Sequence, residues 1–310
     1  MSKALVATQP TIEAAHGLDP LIALVTDTLT SHHSRRAYRK ALTDFIHWWI
    51  EQGRPAFSRA LVNRYKTVLQ DQGLAPSTIN QRLSAVRRLA TEAAYTGLAD
   101  QAILAGIKAV RGVRSGGIRT GKWLTLEQAQ VLINTPNTAT LKGLRDRAIL
   151  AVLIGAGLRR EETARLDVSH LQILDDRPVL ADIVGKRNKI RTVPLPDFAY
   201  QALTEWLEAA SIREGRVFRP INRGGHVAGE EITAQALYGV VGSYTRACGL
   251  SLTPHDLRRT FSKLARQGGA RLEQIQLALG HASIQTTERY LGTAQDLTDG
   301  PGDHIALDLT

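Results

Sequence analysis

The sequence predicts a mainly α-helical chain with one small antiparallel β-sheet, made of an all-helical N-terminal body and an α+β second body. Three observations carry this. Apolar residues recur at spacings of three and four through the first hundred residues, between short polar joints. A glycine-rich basic stretch without apolar period, VRGVRSGGIRTGK at 110–122, interrupts that pattern. Beyond it, two segments rich in β-branched residues flank the turn G-K-R-N-K and read as a hairpin.

Residues 1–18 are weakly patterned and read as a mobile arm; 19–109 form the helical body. Within it, Ser31 to Gly53 holds a helix with Tyr38, Leu42, Phe45, Ile46 and Trp49 on one stripe. Arg35, Arg36, Arg39 and Lys40 lie near its start. Ser58 to Gly73 holds a second helix. Ser77 is the expected cap of a third, with Ile79, Leu83, Val86, Ala90 and Ala93 on its apolar stripe and Gly97 after its end. Residues 110–122 read as a linker and 123–292 as the second body. There T-L-E-Q at Thr125 resembles a capping box. Leu141 to Leu158 reads as a strongly apolar helix, and Val179 to Val184 pairs with Ile190 to Leu195. Helices are expected again at Asp197 to Ala210 and Thr233 to Cys248. Thr253-Pro254-His255-Asp256 offers a cap, a first-turn proline and a box partner for another. Gly268-Gly269 and Gly280 end the next two helices, and Ser283 opens the last.

Charge narrows the partners. The chain has 310 residues and a formal charge of +10. Residues 1–121 carry a net +8, residues 122–291 a net +6, and residues 292–310 a net −4. Two basic bodies favour a polyanion, nucleic acid before a membrane surface. Cys248 is the only cysteine, which excludes an intrachain disulfide and a cysteine-based zinc cage and suits a reducing compartment. No basic-then-apolar leader is present, and the longest apolar run, Ala148 to Leu158, is too short to cross a bilayer; a cytoplasmic protein is expected.

Six residues suggest chemistry. Arg159 follows the apolar helix, Lys186 sits in the hairpin turn, and His255 and Arg258 share a helix face at i, i+3. His281 follows a helix-ending glycine, and Tyr290 lies nine residues on. Each alone has an ordinary structural reading: a helix-end cation, a solvated turn, a polar rim residue, a core phenol. Together, three cations, two imidazoles and a phenol suit a phosphodiester.

Four stretches resemble the tyrosine recombinase (phage integrase) family in the family's own order. They are GLRREETARL at 157–166, GKRNKIRTVPL at 185–195, TPHDLRRTF at 253–261 and LGHASIQTTERY at 279–290. SRRAYRKALTDF at 34–45 and APSTINQRLSAVRR at 75–88 are similar to the helical, SAM-like DNA-clamping domain found upstream in that family. The resemblance spans roughly residues 20 to 292. It implies a site-specific recombinase that integrates, excises or resolves DNA, clamping the duplex between two domains without metal, nucleotide or other cofactor.

Carried over by position, the resemblance makes Tyr290 the nucleophile that forms a 3′-phosphotyrosyl link. Arg159 and Arg258 would hold the phosphate oxygens. Lys186 would protonate the leaving 5′-oxygen, with Lys189 as a second ammonium in the same turn. His255 would assist proton removal, and His281 would hydrogen-bond a phosphate oxygen. Arg160 stands where the family often has an apolar residue; Arg159 is preferred because Glu162 then falls on the family's buried acidic position. Arg82, Arg87, Arg88, Arg35, Arg36 and Arg39 are the expected DNA contacts, mostly to phosphate. Residues 293–310, with Ile305, Ala306, Leu307 and Leu309, are expected to dock on a neighbouring protomer in a tetramer built on two DNA sites, from monomers or weak oligomers without DNA. A type IB topoisomerase-like enzyme and a catalytically dead DNA-binding regulator are the alternatives.

Overall fold

The computed structural model describes residues 19–114, 121–185, 188–281 and 287. The chain falls into two compact units, Met1–Gly117 and Ile118–Thr310.

The first unit is helical: α1 (Asp19–Thr26), α2 (His32–Glu51), α3 (Arg59–Asp71), α4 (Pro76–Tyr95) and α5 (Gln101–Lys108). Ser31, Ser58 and Asp100 cap α2, α3 and α5 by accepting hydrogen bonds from backbone N–H groups of the first turn. The α4 cap departs from expectation. Pro76 occupies the first turn, Ala75 precedes it without a side-chain bond, and Ser77 lies inside the helix. Proline's fixed φ preorganises that turn, so no side-chain cap is needed to start it. The predicted stripes of α2 and α4 meet in one core. Phe45 meets Tyr65 edge-on at 5.0 Å, and the buried Trp49 donates its indole N–H to Pro55 O at 2.8 Å.

The start of the basic stretch belongs to this unit. Val110 is buried, and Arg87 donates to its carbonyl. Asn80 pairs with the Val113 backbone in both directions, donating at 2.9 Å and accepting at 2.8 Å.

The second unit surrounds α7 (Leu141–Gly155) with α6 (Leu126–Asn134), α8 (Arg160–Ala164), α9 (Asp197–Ala209), α10 (Ala234–Ala247), α11 (Pro254–Gln267) and α12 (Leu272–Leu279). Thr125 and Gln128 form the expected capping box. Burial of Ala148 through Leu153 explains the nearly unbroken apolar run of α7. The one deeply buried carboxylate there, Asp146, is satisfied by Arg145, Lys142 and the Tyr244 hydroxyl, which ties α7 to α10. α7 ends three residues earlier than expected, because Gly157 turns left-handed at φ 58° and starts a new direction.

The sheet has three antiparallel strands in sequence order: β1 (Leu171–Leu174), β2 (Arg177–Val184) and β3 (Ile190–Pro194). The β2–β3 hairpin was expected; β1 was not. Its Ile173 and Leu174 are exposed, so it lacks the burial contrast that marks a strand, and its turn uses Asp175 and Asp176, both at positive φ. β2 carries a bulge between Leu180 and Ile183, with Asp182 at φ 54°, after which Ile183 pairs with Arg191.

Candidate active site

Four of the six predicted catalytic residues, Arg159, His255, Arg258 and His281, can be placed, all in the second unit. Lys186 and Tyr290 lie outside the described residues.

Arg159 sits between Gly157 and the first turn of α8. The backbone requires glycine at 157: besides its positive φ, a Cβ there would come within 2.4 Å of the Phe261 ring. Arg159 donates its backbone N–H to Glu162 Oε2 at 2.8 Å and its guanidinium to Oε1 at 2.6 Å. Arg160 turns away to pair with Glu161 near the surface. Arg159 is therefore the arginine held at the buried acid.

Arg258 lies on α11, whose start is the predicted Thr253–Asp256 capping box with Pro254 in the first turn. It is 2% exposed. A buried guanidinium needs acceptors, and two carbonyls supply them: Gly157 O at 2.5 Å, and Leu279 O in the last turn of α12. One side chain thereby fixes the segment before Arg159 and the segment before His281.

His281 follows Gly280, which adopts the left-handed conformation at φ 61° and ψ 41°. The His281 N–H reaches back to Gln276 O at 3.2 Å and the Gly280 N–H to Leu277 O at 3.0 Å, the bonding of a Schellman motif. The ring is fixed by a 2.9 Å hydrogen bond between Nδ1 and the Thr287 hydroxyl. Burial, then the guanidiniums of Arg258, Arg159 and Arg191, hold its pKa down at about 4. His255, on the first turn of α11, keeps an exposed edge. Its pKa is also lowered, by partial desolvation and then by Arg259 and Arg258, and solvent moderates that shift. Both imidazoles are neutral at pH 7. The mutual influence of Arg159, Arg258, His255 and His281 means that these four residues, distant in sequence, converge on one place.

Arg191, on β3, completes the cluster and was not anticipated. Its fork donates to both Glu162 oxygens, at 3.2 and 2.7 Å, and its Nε donates to Ala278 O at 2.7 Å. Burial opposes ionisation of Glu162, but Arg191 and the Arg159 backbone N–H outweigh it and hold the carboxyl at about 2. A signal for Arg191 was present in the sequence. Arg191, Val193 and Leu195 alternate along one strand face, so an arginine heads an apolar stripe. Two guanidiniums share one carboxylate, and a third, Arg258, bears on the same His281 ring as they do, so the cluster keeps an excess of positive charge that suits an anionic phosphodiester.

In the hairpin turn, Gly185 N–H donates to Lys189 O at 2.8 Å, Asn188 is left-handed at φ 55°, and Lys189 is exposed.

The helical-unit arginines differ in what their side chains already hold. Arg82 pairs with Asp44 at 2.9 Å across α2 and α4, and Arg87 holds Val110 O. Arg88 pairs with Glu92 on its own helix. Arg35 donates to Leu29 O at 2.5 Å while remaining exposed, and Arg36 and Arg39 are exposed. Arg36 and Arg82 line a groove of about 360 Å³ with His33, Lys40, Thr78 and Gln81.

Comparison with known proteins identifies the family. Residues 122–296 match the Phage integrase family, and residues 21–96 match its N-terminal SAM-like domain. The chain belongs to the phage integrase family. It is 30% identical over 266 residues to the tyrosine recombinase XerC of Pseudomonas putida, covering 84% of this chain and 85% of that one. It is 28% identical over 303 residues to a tyrosine recombinase of Synechococcus elongatus, covering 92% of each. Among solved structures it shares the fold of the XerH site-specific recombinase bound to difH substrate, with a TM-score of 0.68 and 17% identity over 94% of this chain and 97% of that one. It also shares the fold of a lambda integrase dimer bound to a COC' core site, with a TM-score of 0.66 and 16% identity over 90% of this chain and 78% of that one. This family member is accordingly a tyrosine-type site-specific recombinase, a DNA strand transferase. The topoisomerase-like and inactive-regulator alternatives find no support among these relatives.

Proposed function

We propose that this recombinase breaks and rejoins duplex DNA through Tyr290, using Arg159, Arg258, His255, His281 and Lys186. The observation that carries the reading is the convergence of Arg159, Arg258, His255 and His281 on one electropositive site. In the proposed step, the Tyr290 oxygen bonds to phosphorus as the bond from phosphorus to the 5′-oxygen breaks. The phenol proton leaves with help from neutral His255, and Lys186 returns a proton to the 5′-oxygen. A phenol with a pKa of ~10 needs this assistance and the surrounding positive charge. Arg159 and Arg258 neutralise the non-bridging oxygens as charge shifts in the transition state. His281, with its pKa near 4, is a weak base and serves better as a neutral hydrogen-bond partner of a phosphate oxygen. Because the phosphotyrosyl link conserves the energy of the phosphodiester, the 3′ end can be passed to a different 5′-hydroxyl.

In this reading 1–18 is an arm, 19–109 the helical DNA-binding domain, 110–122 the linker, 123–292 the catalytic domain and 293–310 a docking tail. The protein works in the cytoplasm as a tetramer on two duplex sites. An apolar cavity of about 460 Å³, lined by Ile133, Ile154, Phe198 and Leu264 among others, has the chemistry to receive Ile305, Leu307 and Leu309 of a neighbouring copy. The test is to sequence DNA held covalently by the protein in its host, then to offer that sequence as a duplex nicked near the cleavage site. Wild type should trap the DNA, and Tyr290→Phe should bind it without trapping. A chain ending at 292 should still trap single sites but fail to pair two. Absence of any adduct with wild type would sink the enzyme reading, and unchanged pairing by the shortened chain would remove the tail's role.

A further inference from the structure

Arg191 stands at the junction of three elements that the proposed chemistry must hold in register. From β3, on the far side of the hairpin turn from β2, it reaches α8 through both oxygens of Glu162 and α12 through Ala278 O. Its side chain is 9% exposed and that of Glu162 6%. The same Glu162 carboxylate grips Arg159 twice, through backbone and side chain. The surroundings leave little freedom. A Cβ on Gly185 would come within 3.1 Å of Arg191 Nη1 and 3.4 Å of Arg159 Nη1, and one on Gly280 within 3.1 Å of Arg191 Cδ. Two small residues, one before the hairpin turn and one before His281, thus close around this guanidinium.

We infer that Arg191 is a positioning residue for strand cleavage, acting through Glu162 to fix the Arg159 guanidinium at the scissile phosphate. The physical reason lies in the geometry of the pair. A lone carboxylate beside Arg159 could rotate about its terminal torsion and carry the guanidinium with it. A planar fork on both oxygens removes that rotation. Because the fork stands on β3, the orientation of Arg159 also depends on the hairpin that bears Lys186. The third contact, to Ala278 O, extends the tie to the helix end that precedes His281. Arg258 holds the adjacent carbonyl, Leu279 O, from α11, so two guanidiniums on different elements clamp the last turn of α12.

This inference rests on the proposed strand-cleavage reading. It is tested with the full chain on the nicked duplex sequenced from its own covalent adducts, at saturating DNA. Wild type must trap DNA for the enzyme reading to stand; that arm is independent of Arg191. Arg191→Gln should then lower the single-turnover rate constant by on the order of 10- to 100-fold, with DNA affinity unchanged. Arg191→Lys, which keeps the charge and loses the fork, should recover only part of the rate. The loss in Arg191→Gln with Glu162→Gln together should be smaller than the product of the single losses, because both act on Arg159 by one route. A merely structural role would lower the fraction of active protein and leave the rate constant of that fraction intact. That result, a wild-type rate in Arg191→Gln, or multiplicative losses in the double variant would each overturn the inference.

Discussion

At the scale of single residues, the site's titrating groups all bind protons less readily in the folded chain than in the unfolded one, and the consequences share a sign. His281 has a folded pKa of about 4 against an ordinary 6.5, and His255 is lowered too. Glu162 stands at about 2 against 4.5. In each window the unfolded chain holds more protons, so stability rises with pH and falls as acid is added. The histidine part should be lost between about pH 6.5 and 4, and the Glu162 part from the ordinary carboxylate range downward. Urea unfolding at pH 7 and pH 4 measures the first. His281→Gln should reduce the acid-induced loss by on the order of 2 kcal/mol, discounted for partial exposure. An undiminished loss would mean that His281 is not held neutral among the guanidiniums. DNA should act in the opposite direction, since a bound phosphate favours the imidazolium. The arginine and histidine positions were legible from the sequence because helix punctuation and a family pattern mark them. Arg191 was not, because the strand reading weighed the apolar residues of its face and passed over the charge that heads it.

At the scale of elements, helix ends place the side chains proposed for the chemistry. Gly157 precedes Arg159 and Gly280 precedes His281, both left-handed, and Arg258 grips a carbonyl beside each. Gly280→Ala would force a Cβ into that conformation against Arg191 Cδ, costing about 1 kcal/mol from the backbone alone. We expect a fall in thermal stability of a few degrees and a larger fractional loss in strand cleavage, because the misplaced atoms belong to His281 and Arg191. Loss of stability with full cleavage would show that the Schellman turn only ends the helix. The same elements show how far sequence reading reaches. Caps at Thr125 and Thr253 were visible because a polar side chain meets an apolar period there, and the segments expected to hold α2 and α3 begin at Ser31 and Ser58, which the structure shows to be their caps. Ser77 misled because proline had already supplied the start of α4, and β1 was missed because an exposed edge strand buries too little to leave a period. The early end of α7 was hidden inside an apolar run that continues through the turn to Leu158.

At the scale of the molecule, charge decides how DNA is held, and the structure divides the basic residues by what their guanidiniums already do. The net +8 of residues 1–121 suggests a broad polyanion surface, yet some of those cations are committed internally. Arg87 holds Val110 O and thereby the first residues of the basic stretch, while Arg82 joins α2 to α4 through Asp44. A cation that neutralises a DNA phosphate releases counterions, so its removal should lower the slope of log affinity against log salt by about one unit. A cation that serves the fold should leave the slope alone and weaken the protein instead. Arg36→Gln and Arg39→Gln, at exposed positions on the first turns of α2, should therefore each flatten the salt dependence without changing the unfolding midpoint. Arg87→Gln should keep the slope and lower stability by about 1 to 3 kcal/mol, since it leaves a partly buried carbonyl without its donor. Binding titrations across a salt series, paired with urea unfolding of the same three variants, separate the two classes. If Arg87→Gln flattened the slope as Arg36→Gln does, the internal bond to Val110 would be exchangeable for a phosphate. The whole of α4, rather than the exposed arginines of α2, would then have to be counted as DNA-binding surface.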